Sequence, residues 1–219
     1  MISRIIAGEL QTNCWIVPLP GKDCIVIDPG GGGKLILARL EKLRLCPRYI
    51  AITHAHFDHL AALPFLAASF PKADIAVHQA EAGKLGPYSL ENHKKDFIAA
   101  GLSSYGKKLW NSMPEASILL KDGDCLGPYA ILHLPGHSPG SMALLLVNEK
   151  EKNLFSGDTL FRSGIGRTDL PGGNKEQLIQ SLRRLLSLDE DVTVYPGHGP
   201  DTTIRKEKAA LSSIILNLQ

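Results

Sequence analysis

Residues 53–59 of this chain are T-H-A-H-F-D-H, at the end of a segment, Tyr49 to Thr53, whose composition predicts a buried strand. Residues two apart in an extended segment project to the same side. The first two histidines can therefore reach one metal ion, while the aspartate and the last histidine turn toward a neighbouring point. Four potential ligands within residues 54–59 predict a metal centre. Asp58 could instead cap a helix that begins near His59.

Three further short motifs follow predicted strands in the second half of the chain. They are P-G-H-S-P-G-S at 135–141, S-G-D-T-L at 156–160 and Y-P-G-H-G-P at 195–200. Each is a weak signal alone, because a histidine or aspartate in a turn after a strand is common. Together with residues 53–59 they supply five histidines and two aspartates, enough for two sites of three protein ligands with one carboxylate able to bridge them.

The donor types indicate what such sites would do. Nitrogen and carboxylate ligands without cysteine suit Zn²⁺, Fe or Mn and leave coordination positions open for water, as a catalytic site requires. Two such metals about 3.5–4 Å apart would share a water whose pKa falls to about 7. The chain therefore carries the parts of a binuclear hydrolase.

Composition narrows the class of protein. The 219 residues are 44% hydrophobic and 21% charged, which is typical of a globular protein with a sizeable core and excludes disorder, collagen and coiled coil. Lysine and arginine total 24 against 22 acidic residues, without a long basic run, so no nucleic-acid partner is expected. The longest apolar run, Met142 to Val147, is far short of the ~20 residues of a spanning helix. We therefore expect a cytoplasmic protein that does not bind membranes.

The cysteines form neither a C-x-x-C motif nor a disulfide-framework spacing, so we expect reduced thiols that are mostly buried. They are Cys14, Cys24, Cys46 and Cys125.

Strand signals dominate both halves of the chain, and helices follow them. Helical spacing predicts helices at Leu60 to Phe70, Lys175 to Leu188 and Ile204 to Leu216. This pattern predicts an α/β protein, a four-layer αββα sandwich of two mixed β-sheets with helices on the outer faces, in one domain spanning 1–219. Residues 79–115 are expected to form a variable helical insert able to cover a cleft. Its aromatic and basic side chains are Tyr88, Lys94, Lys95, Tyr105, Lys107, Lys108 and Trp110.

The motifs T-H-x-H-x-D-H, G-H-S-P-G-S, G-D-T-L-F and P-G-H, in that order, resemble the metallo-β-lactamase-fold superfamily. They are most similar to its hydroxyacylglutathione hydrolase (glyoxalase II)-like branch, in a short single-domain form. The resemblance runs from about Asn13 to Thr203. It implies an αββα sandwich, with a first metal held by His54, His56 and His137. It further implies a second metal held by Asp58, His59 and His198, with Asp158 as the bridging ligand.

The resemblance also implies a reaction. A hydroxide bridging two divalent metals, Zn²⁺ with Fe or Mn as alternatives, would attack a thioester of the hydroxyacylglutathione type. Asp58, as a ligand that also hydrogen-bonds the hydroxide, would be the catalytic residue that orients the nucleophile. Arg167 would either bind a carboxylate of an anionic thioester substrate or pair with Asp169 as a loop clamp. A homodimer could form through an exposed edge or the insert.

Only 21 residues follow His198, short of the helical extension that helps full-length glyoxalase II enzymes bind glutathione.

Three other activities share parts of this pattern. Persulfide dioxygenases resemble the chain in their histidine motifs and a G-R-T-D stretch, but use a single iron at the first site; there the last histidine usually precedes an acidic-aromatic pair, whereas here Gly199-Pro200 follows. A lactonase or β-lactamase activity would be decided by pocket loops. A metal-storing module that had lost catalysis would be expected to lack some of the seven ligands.

Overall fold

The computed structural model describes residues 1–101, 113–148 and 150–218. Contacts within the chain divide it into two compact units, Met1–Leu120 and Lys121–Gln219. The single domain expected for residues 1–219 stays a prediction. Of the expected insert, residues 102–112 lie outside the described residues, and with them Tyr105, Lys107, Lys108 and Trp110.

The first unit is built on a mixed sheet of six strands in the order β1 to β6. The strands are β1 (Ser3–Ala7), β2 (Thr12–Pro18), β3 (Asp23–Ile27), β4 (Cys46–Ile52), β5 (Asp74–His78) and β6 (Ile118–Leu120). The first three pair antiparallel, and β3 through β6 pair parallel. Parallel neighbours need crossover connections, which the helices provide. These are α1 (Gly33–Leu43), α2 (Phe57–Leu60), α3 (Leu63–Ser69), a 3₁₀-helix (Gln79–Lys84) and α4 (Ser89–Ala99).

The core of the first unit combines strand residues spaced two apart with helix residues spaced four apart. Alternate strand residues such as Ile50 and Ile52 pack in one cluster with Ile36 and Leu40 of α1. The residue between the two, Ala51, is also fully buried. A central strand buried on both faces is expected to be a continuous apolar run, which is why the end of β4 was predictable. Its start was not, because Pro47 breaks the strand pattern and is accommodated where the pairing with β3 shifts register.

The second unit carries another six-stranded mixed sheet, in the order β14-β13-β10-β9-β8-β7. Its strands are β7 (Cys125–Leu126), β8 (Tyr129–His133), β9 (Met142–Val147), β10 (Lys152–Gly157), β13 (Thr193–Pro196) and β14 (Thr202–Thr203). Strands β10 and β13 pair parallel and the others antiparallel. A separate hairpin joins β11 (Leu160–Phe161) to β12 (Gly164–Ile165).

Two helices complete the second unit, α5 (Lys175–Leu186) and α6 (Ile204–Leu218). The side chain of Asn174 caps α5 by accepting a hydrogen bond from the backbone N–H of Gln177. Leu178, Leu182 and Leu185 lie on one face of this helix and are buried in the core of the unit. The predicted α/β class, with two mixed sheets and helices, is confirmed.

The cysteine prediction is half right. Cys14 and Cys24 are buried, whereas Cys46 and Cys125 are exposed at strands of their sheets. Burial raises the pKa of the Cys14 thiol well above its ordinary value and that of Cys24 to about 12. These two thiols therefore stay protonated and unreactive at neutral pH. A helix long and apolar enough to cross a bilayer is absent from the described residues.

Candidate metal centre

The first unit places four of the predicted ligands where β4 ends. The strand stops at Ile52, and α2 begins at Phe57 with His56 at its N-cap. Asp58 therefore lies inside the first turn of α2 and is not its cap. A ring nitrogen of His54 lies within 4.8 Å of a ring nitrogen of His56 and of one of His59. A carboxylate oxygen of Asp58 likewise lies within 4.8 Å of a ring nitrogen of His59. The three histidines are buried.

Asp28, directly after β3, is hydrogen-bonded to two residues of the segment 53–59, Thr53 and His59. Its buried carboxylate accepts hydrogen bonds from the backbone N–H of Thr53 at 2.7 Å, from the Thr53 hydroxyl at 2.7 Å and from His59 Nδ1 at 2.9 Å. Asp28 has φ 52°, a left-handed conformation that is uncommon for a residue other than glycine. Backbone strain of this kind persists where the surrounding contacts fix the residue, as these three bonds do.

The hydrogen bonds of Asp28 also set the tautomers of two histidines. Because Nδ1 of His59 donates to Asp28, its Nε2 carries the lone pair, and that atom lies 3.6 Å from Oδ2 of Asp58. The single hydroxyl proton of Thr53 goes to Asp28, so the Thr53 oxygen accepts from Nδ1 of His54 at 3.2 Å. His54 is thereby oriented in the same way. A metal-ligating histidine typically donates its second ring N–H to an oxygen in this manner.

Two further side chains form hydrogen bonds with residues 55–58. The hydroxyl of Thr12, at the start of β2, donates to Oδ2 of Asp58 at 3.1 Å. The buried carboxylate of Glu81, in the 3₁₀-helix, accepts from the backbone N–H of Ala55 at 3.4 Å. Sequence reasoning missed both, together with Asp28. Asp28 is a polar residue directly after β3, but nothing in the sequence around it indicates its hydrogen-bond partners.

The second unit carries the other three predicted ligands, His137, His198 and Asp158, the last of which follows β10. Oδ2 of Asp158 lies 3.8 Å from Nε2 of His137 and 3.6 Å from Nε2 of His198. Ligands held about 2.0–2.1 Å from a tetrahedral metal stand roughly 3.4 Å from one another. The two spacings around Asp158 are therefore close to those of donors on a common metal ion.

The loop that follows β12 holds His137 in place. Nδ1 of His137 donates to the backbone carbonyl of Arg167 at 2.8 Å, so Nε2 is the nitrogen that faces Asp158. A Cβ at Gly166 would lie 2.0 Å from the carbonyl oxygen of Asp158 and 3.1 Å from the side chain of His137. Only glycine allows the loop to pack this closely against both residues.

The side chain of Arg167 forms a bidentate ion pair. Its Nε and one terminal nitrogen each lie 2.6 Å from a carboxylate oxygen of Asp169. The guanidinium lowers the pKa of Asp169 to about 2. Of the two roles considered for Arg167, the loop clamp is the contact that the structure contains. Both side chains are more than half exposed, and three of the five N–H donors of Arg167 remain outside this pair.

The donor chemistry of both clusters fits divalent metal ions. Imidazole and carboxylate donors suit zinc, iron or manganese. The histidines His54, His59 and His137 each have the second ring nitrogen hydrogen-bonded to an oxygen, as expected of ligands. The sequence predicted these donor types, and the structure adds the oxygens that orient three of the histidines.

Comparisons with known proteins identify the family of this chain. The family model described as Metallo-beta-lactamase superfamily matches residues 7–198. The chain is 36% identical over 208 residues to hydroxyacylglutathione hydrolase GloC of Haemophilus influenzae, covering 94% of each chain.

Two solved structures are similar over nearly their whole length. The BLEG-1 B3 metallo-beta-lactamase superposes with a TM-score of 0.82 at 34% identity, covering 95% of this chain and 97% of that one. TTHA1623, solved in a di-iron-bound form, superposes with a TM-score of 0.79 at 36% identity, covering 94% and 96%. The chain therefore belongs to the metallo-β-lactamase superfamily, among its metal-dependent hydrolases.

Proposed function

We propose that this chain is a binuclear hydrolase that cleaves thioesters of the hydroxyacylglutathione type. The observation that carries the proposal is the set of seven imidazole and carboxylate donors, four in the first unit and three in the second, of which His54, Asp58, His59 and His137 are oriented by hydrogen bonds. In the proposed centre, His54, His56 and His137 would hold the first metal, Asp58, His59 and His198 would hold the second, and Asp158 would be the ligand shared by both. The similarity to GloC supports the thioester as substrate.

The two metals, when bound, supply a hydroxide nucleophile at neutral pH and polarise the acyl oxygen of the substrate. The chain's own residues position these groups. Asp28 keeps Nε2 of His59 available as a donor, and the carbonyl of Arg167 does the same for His137. Asp58 is the catalytic residue, because its carboxylate would accept a hydrogen bond from the nucleophile and aim it at the acyl carbon. A thiolate leaves readily, so the reaction needs no strong general acid.

Several finer features belong to the same proposal. Zinc is the proposed metal, with iron or manganese as alternatives, and the di-iron form of TTHA1623 makes iron a specific competitor. The exposed N–H donors of Arg167 are proposed to bind a carboxylate of the thiol carrier. The substrate is a small anionic thioester, and a cytoplasmic location and a homodimer remain predictions.

The first experiment is elemental analysis of protein purified without chelator, followed by thioester hydrolysis monitored as thiol release. We expect two metals per chain and turnover of lactoylglutathione. The variant His54→Ala should lose both metal and turnover, whereas Asp23→Asn, at an exposed ion pair with Arg48, should keep both. One iron per chain with persulfide-dependent oxygen consumption would contradict the proposal and indicate a dioxygenase.

A β-lactamase activity is the second candidate, favoured by the similarity to BLEG-1 at a TM-score of 0.82. Both activities would use the same metal centre, so metal analysis does not separate them. The ratio of kcat/KM for a penicillin or cephalosporin to kcat/KM for lactoylglutathione does. A ratio well above one would favour the β-lactamase.

A further inference from the structure

Thr12 lies in the β1–β2 hairpin at the edge of the first sheet, yet its side chain is buried and contacts Asp58. It begins β2, pairs with Ala7 of β1, and has no exposed surface. Its hydroxyl crosses 46 residues of sequence to donate to Oδ2 of Asp58 at 3.1 Å. A β-branched side chain has few χ1 options, so the direction of this hydroxyl is fixed by the strand.

The loop after β3 fixes Thr12 and Asp58 against each other. A Cβ at Gly30 would lie 2.8 Å from Cβ of Thr12 and 1.9 Å from the carbonyl oxygen of Asp58. The backbone of Gly30 therefore touches both residues. The next residue back, Pro29, accepts a hydrogen bond from the N–H of Ala62 at 2.9 Å, which ties the loop to the segment between α2 and α3.

The oxygen of Asp58 that Thr12 contacts is also the one that faces His59. Oδ2 lies 3.6 Å from Nε2 of His59. A carboxylate rotates easily about its last torsion, whereas an oxygen that accepts a fixed hydrogen bond keeps its direction. Oδ2 has two lone pairs, so it can accept from Thr12 and still serve as a metal ligand. Asp28 fixes the ring of His59 in a comparable way.

We infer that Thr12 is a positioning residue for the second metal, acting through the carboxylate of Asp58. In this role Thr12 acts on the second metal only through Asp58, as Asp28 acts through His59. This inference rests on the proposed function, which assigns Asp58 and His59 to the second metal.

The test is a metal titration of chelator-stripped protein with Zn²⁺ against a chromophoric competitor. Thr12→Val removes the hydroxyl at nearly constant shape, and Thr12→Ser is the matched control that keeps it. We expect Thr12→Val to bind one of its two metals about 10–100-fold more weakly and the other unchanged. Thr12→Ser should bind both with wild-type affinity. A thermal melt of each metal-free variant reports whether the fold itself has changed.

Two results for Thr12→Val would overturn the inference. One is Thr12→Val binding both metals as the wild type does. The other is an equal loss at both metals with a lower melting temperature, which a purely structural role would produce. If Thr12→Val does not fold, Thr12→Ala takes its place in the titration. A wild type that binds fewer than two metals overturns the proposed function as well. A wild type that binds two and loses one in Thr12→Val, yet hydrolyses no thioester, overturns the function alone.

Discussion

Replacing Asp28 by asparagine tests how the first unit orients its histidines. Asparagine tolerates the left-handed φ of 52° at this position, so the backbone is not perturbed. The carboxylate accepts three hydrogen bonds at 2.7–2.9 Å, whereas the amide has only one accepting oxygen. In one amide orientation the NH₂ group faces the backbone N–H of Thr53. In the other it faces Thr53 Oγ1 and His59 Nδ1, and both histidine tautomers are disturbed.

The first orientation leaves the buried N–H of Thr53 without an acceptor. The second sets the NH₂ group against the N–H of His59, unless the ring changes tautomer and gives up the Nε2 lone pair that a metal needs. Such a mismatch costs about 1–3 kcal/mol, so we expect the free energy of unfolding of the metal-free protein to fall by about 2 kcal/mol. In the second orientation, affinity should also fall by about 10–100-fold for both metals, because position 28 sets His59 directly and His54 through Thr53. This differs from Thr12→Val, which should weaken one metal only.

The assay pairs urea unfolding of the metal-free protein with the zinc titration. The control is Asp23→Asn at the other end of β3, where the carboxylate is exposed and pairs with Arg48 at 3.7 Å. An exposed pair of this kind contributes about 0–1 kcal/mol. If Asp28→Asn unfolds like this control and binds both metals with wild-type affinity, the hydrogen bonds that link Asp28 to His59 and, through Thr53, to His54 have no role in stability or metal binding.

Three further perturbations have definite expected outcomes. Asp158→Ala should abolish turnover and lower the metal content measured by elemental analysis; turnover at the wild-type rate would exclude a bridging role. Arg167→Ala should raise KM for anionic thioesters more than for neutral ones, and equal effects on the two would make Arg167 structural. Burial lowers the pKa of His93, whose Nε2 donates to the carbonyl of Lys84. The folded state therefore resists protonation that the unfolded state accepts, and stability present above about pH 6.5 is lost as the pH falls. His93→Gln should show a smaller decrease in unfolding free energy between pH 7 and pH 5 than the wild type, and an identical decrease would refute this.

The sequence allowed prediction of the parts whose signals are local. The ligands of residues 53–59 fall in one contiguous motif after an apolar strand, and helix α5 begins where Asn174 caps it. Asp28 could not be found this way, because its contact with Thr53 depends on β3 and β4 being parallel neighbours with Ile27 opposite Ala51. The hydrogen bond from Thr12 to Asp58 likewise joins segments 46 residues apart and has no periodic signature.

Two histidines of this protein are oriented by different kinds of oxygen. His59 depends on the side chain of Asp28, so most substitutions at position 28 remove its support. His137 depends on the main-chain carbonyl of Arg167, a group that every amino acid carries. Mutation at position 167 can therefore change the charge and size of that side chain while His137 keeps its hydrogen bond. If Arg167 binds the substrate as proposed, substrate preference can be altered at that position without disturbing the orientation of His137.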